Sequence, residues 1–302
     1  MVIGIGDDTA AWHGSDRVQL ATTDSLVEEV HFSFRWSTWE DLGYKSLAVN
    51  LSDIAAMGGH ALYALVSLSC PGDVDSDSIL AFYRGMTSLA QEHGVVIIGG
   101  NLARSPFVTA SVFVAGESAT GRLLRRSAAR PGDVIAVTGF LGAAAGALSL
   151  MAGDTDTSTR VPDTLMQALI RPHARLAEGR ILAHAGVECA IDISDGLLSD
   201  LGHICECSRA SATLRASLLP VSVDCRTACQ DASTLALTGG EVYELLFTCR
   251  AETMERVTGM LQCPVTVIGE MGPGTDHPSI VVLGPDDLPI DVAVTGWSHF
   301  RQ

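Results

Sequence analysis

An aspartate sits between two isoleucines in the run Cys189-Ala190-Ile191-Asp192-Ile193, and no other feature constrains the fold as strongly. The run reads as a strand, and Leu197, Leu198, Leu201, Ile204 and Cys205 then recur at helical spacing. A carboxylate buried in such a strand costs several kcal/mol unless it is paired or ligated. Asp192 and Asp195 therefore flank a strand-to-helix junction, where Ser194 or Asp195 can cap free N–H groups. A plain N-cap followed by an Asp-Gly turn is the alternative for Asp195. It leaves Asp192 unexplained.

Acids recur at the ends of other apolar runs: Gly6-Asp7-Asp8, Thr22-Thr23-Asp24 and Asn50-Leu51-Ser52-Asp53. Strand ends and helix starts hold side chains rigidly enough to build a site. Several anions brought together repel, which raises their pKa values or calls for cations. Hard oxygen ligands with hydroxyls nearby suit Mg²⁺, which is often held by one or two carboxylates plus substrate phosphates. The pattern points to a metal-dependent enzyme that handles phosphate.

Asp53 is expected near the negative end of a helix dipole, unfavourable by roughly 0.3–1 kcal/mol unless a cation compensates. Asn50 lies one turn earlier on the same face. Asp7-Asp8 and Thr22-Thr23-Asp24 taken singly also fit ordinary turns. Gly99-Gly100-Asn101 follows an expected buried strand and could bring backbone close to a phosphate, with Arg104 nearby. His31 reads as a surface histidine or a ligand, and Trp297 as a packing residue or a platform for a heterocycle. No GxxxxGK[ST] and no protein-kinase motif set occurs.

The 302 residues suffice for two domains. The first half predicts a strand at 18–22 and a helix from about Thr38, capped by Ser37 or Thr38 and ending at Gly58-Gly59. A strand at 62–68 follows. A helix opened by Asp75 and closed by Gly94 places Leu80, Tyr83, Met86, Leu89 and Ala90 on one face. A short buried strand at 95–98 and a longer one at 107–114 complete this half. The stretch 122–133 is basic in an acidic chain and ends in Pro-Gly-Asp, marking a boundary between domains at 1–127 and 128–302. Beyond it come strands at 134–138, 189–193, 243–249 and 265–269, and helices at 142–151, 164–170, 174–185 and 252–261. Both halves mix strands and helices, so the fold class is α/β or α+β.

A net charge of −16 argues against nucleic-acid or anionic-membrane partners, because phosphate backbones need basic surface. It leaves open a nucleotide whose phosphates are reached through cations. The eight cysteines include no CxxC pair, Cys205 and Cys207 being separated by one residue and Cys225 and Cys229 by three, so they give no strong zinc signature. They read as reduced thiols of a cytoplasmic protein. No segment approaches the ~20 apolar residues of a membrane span.

The stretches GIGDDTA (4–10), TTDSLVEEVHF (22–32), GYKSLAVNLSDIAAMGG (43–59), GGNLARSP (99–106), RRSAARPGD (125–133), IDISDGLLSDLGHI (191–204) and GGEVYELLFT (239–248) resemble the thiamine-monophosphate kinase family. That family lies within the aminoimidazole-ribonucleotide-synthetase-like superfamily. The resemblance implies a two-domain architecture: an N-terminal domain whose strands build a dimer-forming barrel, a C-terminal α/β domain, and ATP between them. The implied reaction moves the γ-phosphoryl of ATP onto thiamine monophosphate, giving thiamine diphosphate. Asp8, Thr22, Thr23, Asp24, Asp53, Asn101, Asp192 and Asp195 match the Mg²⁺-binding set, with Asp24, Asp53 and Asp195 closest to catalysis. Gly100, Asn101, Arg126 and Ser194 match ATP contacts, and His31, Glu241 and Trp297 match thiamine-phosphate contacts. A monovalent cation and a homodimer are further implications.

The chain departs from the family at Asn101 and Val242, where Asp is usual, and it starts almost at the GIGDD motif, ahead of which the family carries a helical segment. A superfamily enzyme acting on another acceptor, and a weak nucleotide-binding paralogue, remain the alternatives.

Overall fold

A computed structural model describes residues 10–14, 16–118, 121–153 and 161–292. Its axis is α1 (Trp39–Ala56). The helix begins in a capping box: the Thr38 hydroxyl accepts the Asp41 N–H at 3.1 Å, and the Asp41 carboxylate accepts the Thr38 N–H at 3.1 Å. Beyond the first turn nearly every residue of the helix is buried, polar ones such as Ser46, Asn50 and Ser52 included, so it is covered on every side. Leu47, Leu51, Ile54 and Ala55 are accordingly inaccessible. Against it lies α2 (Ser76–His93), capped by Asp75 and closed by a left-handed Gly94. The two helices touch through glycines: a Cβ at Gly43 would lie 1.8 Å from the Phe82 carbonyl oxygen, and one at Gly85 1.8 Å from that of Glu40.

The first sheet contains β1 (Ala10–Gly14), β2 (Arg17–Val27), β3 (His60–Cys70), β4 (Val96–Arg104) and β5 (Thr109–Glu117), in the order β1-β2-β5-β3-β4. Neighbours are antiparallel except β3 and β4, which α2 joins as a parallel pair. Leu20, Leu26, Val66, Val112 and Val114 bury one face of this sheet in the core around α1. The other face is open to solvent.

The second sheet contains β6 (Val134–Thr138), β7 (Cys189–Asp192), β8 (Ala210–Arg215), β9 (Leu245–Cys249), β10 (Val265–Gly274) and β11 (Ile280–Leu283), in the order β11-β8-β10-β6-β9-β7. Strands β7 and β9 are buried throughout, so they read as continuous apolar runs with no alternation. Ala136, Ala190, Leu245 and Phe247 join the core around α1, together with α5 (Leu176–Ala185) and α9 (Ala251–Thr258). Ile135, Val137, Ile191 and Leu246 face a second core. That core is built with α3 (Ala143–Gly153), α4 (Asp163–Ile170), α6 (Leu197–Ser208), α7 (Val223–Ala228) and α8 (Ala232–Thr238). The seam between the halves is also polar: Arg171 Nε donates to Asp41 Oδ1 at 2.6 Å, with its guanidinium over the Tyr44 ring. Among the described residues no helix is long and apolar enough to cross a membrane.

Several expectations need correction. The strand expected as short and buried at 95–98 is the long edge strand β4, exposed along nearly its whole length. Gly99, Gly100 and Asn101 therefore lie inside a strand. Leu80 points to solvent, and Phe82 takes the place in the core that the helical pattern gave to its neighbours. Tyr243 precedes β9 in a loop with positive φ. Finally, the first sheet ends at β1 and β4, so the described strands of one chain close no barrel.

Candidate active site

A cavity of about 1010 Å³ opens where the C-terminal turn of α1 meets the ends of β2 and β7. Asp24 and Asp53 line it from the first half, and Asp192, Ser194, Asp195 and Glu241 from the second. Trp36, Leu148 and Leu169 supply an apolar stretch of wall. His31 also lines it, its ring Nδ1 accepting the Val27 N–H at 3.0 Å.

Helix α1 organises the acids on both sides. Asn50 Oδ1 accepts the Asp24 N–H at 3.0 Å, while its Nδ2 donates to the Ser46 carbonyl at 2.9 Å. One turn on, Asp53 Oδ2 accepts from the Thr22 hydroxyl at 2.5 Å. Between them Ser52 faces the second sheet and donates to Asp192 Oδ2 at 2.6 Å. Asp192 is 2% exposed, and this donor supplies part of the pairing that its burial demands. Thr23 lines the cavity as well, its hydroxyl donating to the Val112 carbonyl at 3.0 Å.

The turn after β7 is built by a residue the motif reading passed over. Asp200, buried in the first turn of α6, accepts the N–H groups of Ser194, Asp195 and Gly196 through Oδ2, each at 3.1 Å. A carboxylate at a helix N-terminus is favoured by the dipole, and its charge strengthens each bond. Neither Ser194 nor Asp195 caps the helix as expected: the N-cap is Gly196, with no side-chain cap bond, and Asp200 instead ties the turn ahead of it. Gly196 sits at φ 121, and a Cβ there would meet the Thr238 carbonyl oxygen at 2.5 Å.

A second turn, residues 239–244, docks on the first. The Glu241 N–H donates to the Ser194 carbonyl and the Tyr243 N–H to the Ile193 carbonyl, both at 2.8 Å. Glu244 anchors its far end: Arg175 Nε and Nη2 each donate to the carboxylate at 2.6 Å, and so does the Thr138 hydroxyl. Tyr243 is buried at the cavity wall. Burial, and then the negative charges of Glu241, Asp24, Asp192 and Asp53, push its phenol well above the usual tyrosine range. The phenol is therefore held neutral in the field of these four carboxylates. Val242 packs on the second core and does not line the cavity.

This donor set fits a hard divalent cation, since Asp24, Asp53, Asp192 and Asp195 offer carboxylate oxygens to one polar cavity. Asp195, Asp200 and His203 also bring one ligand atom each within 4.8 Å of one another, although Asp200 is committed to the 194–196 turn. Gly100 and Asn101 lie on β4 and do not line the cavity. A Cβ at Gly100 would fall 2.0 Å from the Val66 carbonyl oxygen, so strand pairing itself requires a glycine there. Arg126 begins a short 3₁₀ turn, its carbonyl accepting the Ser208 hydroxyl at 2.8 Å, and it too is absent from the wall. Asp8 and Trp297 lie outside the described residues.

Residues 6–118 match the family described as AIR synthase related protein, N-terminal domain, and residues 130–281 match its C-terminal domain. The thiamine-monophosphate kinase of Bacillus subtilis is 36% identical, over 99% of this chain and 94% of that protein. A solved structure described as AaThiL complexed with AMPPCP and TMP superposes with a TM-score of 0.86 at 32% identity, covering 98% of this chain and 92% of that one. The thiamine monophosphate kinase structure from Aquifex aeolicus gives 0.80 at 30% identity, with 94% and 92% covered. Near-complete coverage at this identity, on a fold that gathers the motif acids around one cavity, shows that the chain belongs to the thiamine-monophosphate kinase family, built from the two AIR synthase related domains.

Proposed function

We propose that the chain transfers the γ-phosphoryl group of ATP to the phosphate of thiamine monophosphate, making thiamine diphosphate and ADP. The observation that carries this reading is the single cavity in which Asp24 and Asp53 of one half meet Asp192 and Asp195 of the other. Two anionic substrates enter such a cleft only with cations. Asp24, Asp53, Asp192 and Asp195, with Asp8, Thr22 and Thr23, would hold magnesium. When bound, magnesium would offset the charge that builds on the transferring group.

The chain's own contribution is positioning. Ser194, on the turn that Asp200 shapes, meets the nucleotide phosphates; Arg126, Gly100 and Asn101, which lie off the cavity wall, are kept as further ATP contacts on the motif match alone. His31, Glu241 and Trp297 take the acceptor, and Trp36, Leu148 and Leu169 give its heterocycle an apolar wall. The acceptor phosphate is already ionised, so no base need remove a proton, and alignment carries most of the rate. A monovalent cation is a further component of the reading.

Residues 1–127 and 128–302 are taken as the two domains. The outer face of the first sheet exposes Tyr63, Leu65, Val96 and Ile98, an apolar surface suited to a second copy. A barrel would close between two chains there. Gly100 and Asn101, lying on that face's edge strand, would act at or near the interface. Sizing in solution tests the dimer, and Leu65→Asp is expected to shift it to monomer. We place the enzyme in the cytoplasm. Incubation with Mg-ATP and thiamine monophosphate tests the function: equal amounts of thiamine diphosphate and ADP are expected. Tight ATP binding without that product would sink the reading.

A further inference from the structure

The phosphoryl-transfer reading leaves the buried charge of Lys45 unused. Lys45 stands on α1 at 2% exposure and is the helix's one Lys or Arg. An ammonium there is strongly disfavoured unless it is paired. Its Nζ lies 2.5 Å from Glu241 Oε2 and donates to the His31 carbonyl oxygen at 3.4 Å. These partners come from the two halves of the chain. His31 follows β2 in the first half, and Glu241 belongs to the 239–244 turn of the second. The ammonium sits behind the carboxylate, whose side chain is 22% exposed.

The turn needs such an anchor. Glu241 has φ 64 and Tyr243 φ 54, a left-handed backbone that residues with side chains adopt only where the surroundings over-determine it. Glu244 fixes the far end through Arg175 and Thr138. The Glu241 end is held by its N–H on Ser194 and by Lys45.

We propose that Lys45 is a positioning residue for the acceptor subsite. It aims the Glu241 carboxylate into the cavity and keeps the His31 segment in register with it, so it sets affinity for the acceptor and leaves affinity for ATP alone. The proposal rests on the acceptor roles given above to His31 and Glu241.

The test compares wild type with Lys45→Met, Lys45→Arg, Glu241→Gln and the Lys45→Met/Glu241→Gln double variant, measuring KM for each substrate and the melting temperature. Lys45→Met is expected to raise the thiamine-monophosphate KM roughly 5- to 50-fold while the ATP KM stays within about twofold. Lys45→Arg keeps a cation able to reach the same oxygens and recovers most of the loss. The double variant should bind the acceptor no worse than Glu241→Gln alone, because the two residues act as a unit. If Lys45→Met does not fold, Glu241→Gln and the double variant, whose charges are removed together, carry the comparison. A purely structural Lys45 would lower the melting temperature and active fraction with both KM values unchanged, and that result overturns the proposal. So does strict additivity in the double variant. A wild type that makes no thiamine diphosphate overturns the functional reading and this inference with it. An active wild type whose acceptor KM ignores Lys45 overturns this inference alone.

Discussion

The hydroxyl of Ser52 donates to Asp192 Oδ2 at 2.6 Å, tying the last turns of α1 to the end of β7 with both side chains buried. Ser52→Ala withdraws a donor from a buried carboxylate and leaves nothing of similar polarity in its place. We expect a loss of about 1–3 kcal/mol of stability, read from the urea midpoint. A variant as stable as wild type would mean that Asp192 does not depend on this bond.

Asp200 should matter to activity although it does not line the cavity. Its Oδ2 holds three backbone N–H groups of the turn carrying Ser194 and Asp195. Asp200→Ala is expected to lower kcat/KM by on the order of 10–100-fold, the range seen when a support behind a ligand is removed. Steady-state kinetics with a magnesium titration checks it, and an unchanged magnesium requirement would count against the turn's role.

Metal removal gives a further check. Dialysis against a chelator should abolish turnover, and added Mg²⁺ should restore it. Asp53→Asn should weaken magnesium binding itself by at least about tenfold, read by direct titration of the ion. Full activity in the chelated enzyme would remove the reason for gathering these acids.

Stability should decline on the alkaline side. Burial, with Glu206 and Asp133 adding to it, pushes the thiols of Cys205 and Cys249 up to about 11, and burial beside Cys229 pushes Cys225 up to about 12. Tyr243 is raised as well. An unfolded thiol ionises near pH 8.5, so above that pH the unfolded chain binds fewer protons than the folded one and stability falls as pH rises. Denaturant midpoints should therefore drop steadily from about pH 9 to pH 11, and Cys249→Ser should flatten part of the slope. A midpoint that is level across this range would contradict the burial of these groups.

Local chemistry was readable where local rules decide the outcome. The Thr38 capping box, the Asp75 cap and the Gly94 stop follow from neighbours a few residues away. Asp192 was legible for another reason: an acid in an apolar strand must find a partner, and it finds Ser52. Lys45 could have been read by the same rule, as a lone cation inside an apolar helix. Other features depend on contacts distant in sequence. Tyr243 looks like the start of a strand, yet the hydrogen bonds of the 239–244 turn to Ile193 and Ser194 force it into a left-handed loop. The apolar residues of β4 suggest burial, but the strand lies at a sheet edge, and periodicity does not reveal sheet order. The short α7 and α8 carry too few turns for a pattern to emerge.

The most direct test follows the phosphoryl group itself. ATP labelled at the γ-phosphate is incubated with magnesium and thiamine monophosphate, and the label is located after a single turnover. The expected result is label confined to the terminal phosphate of thiamine diphosphate, with the transfer lost in both Asp53→Asn and Asp192→Asn. Label released only as inorganic phosphate, or transfer that survives either substitution, would contradict a single phosphoryl-transfer site shared between the two halves.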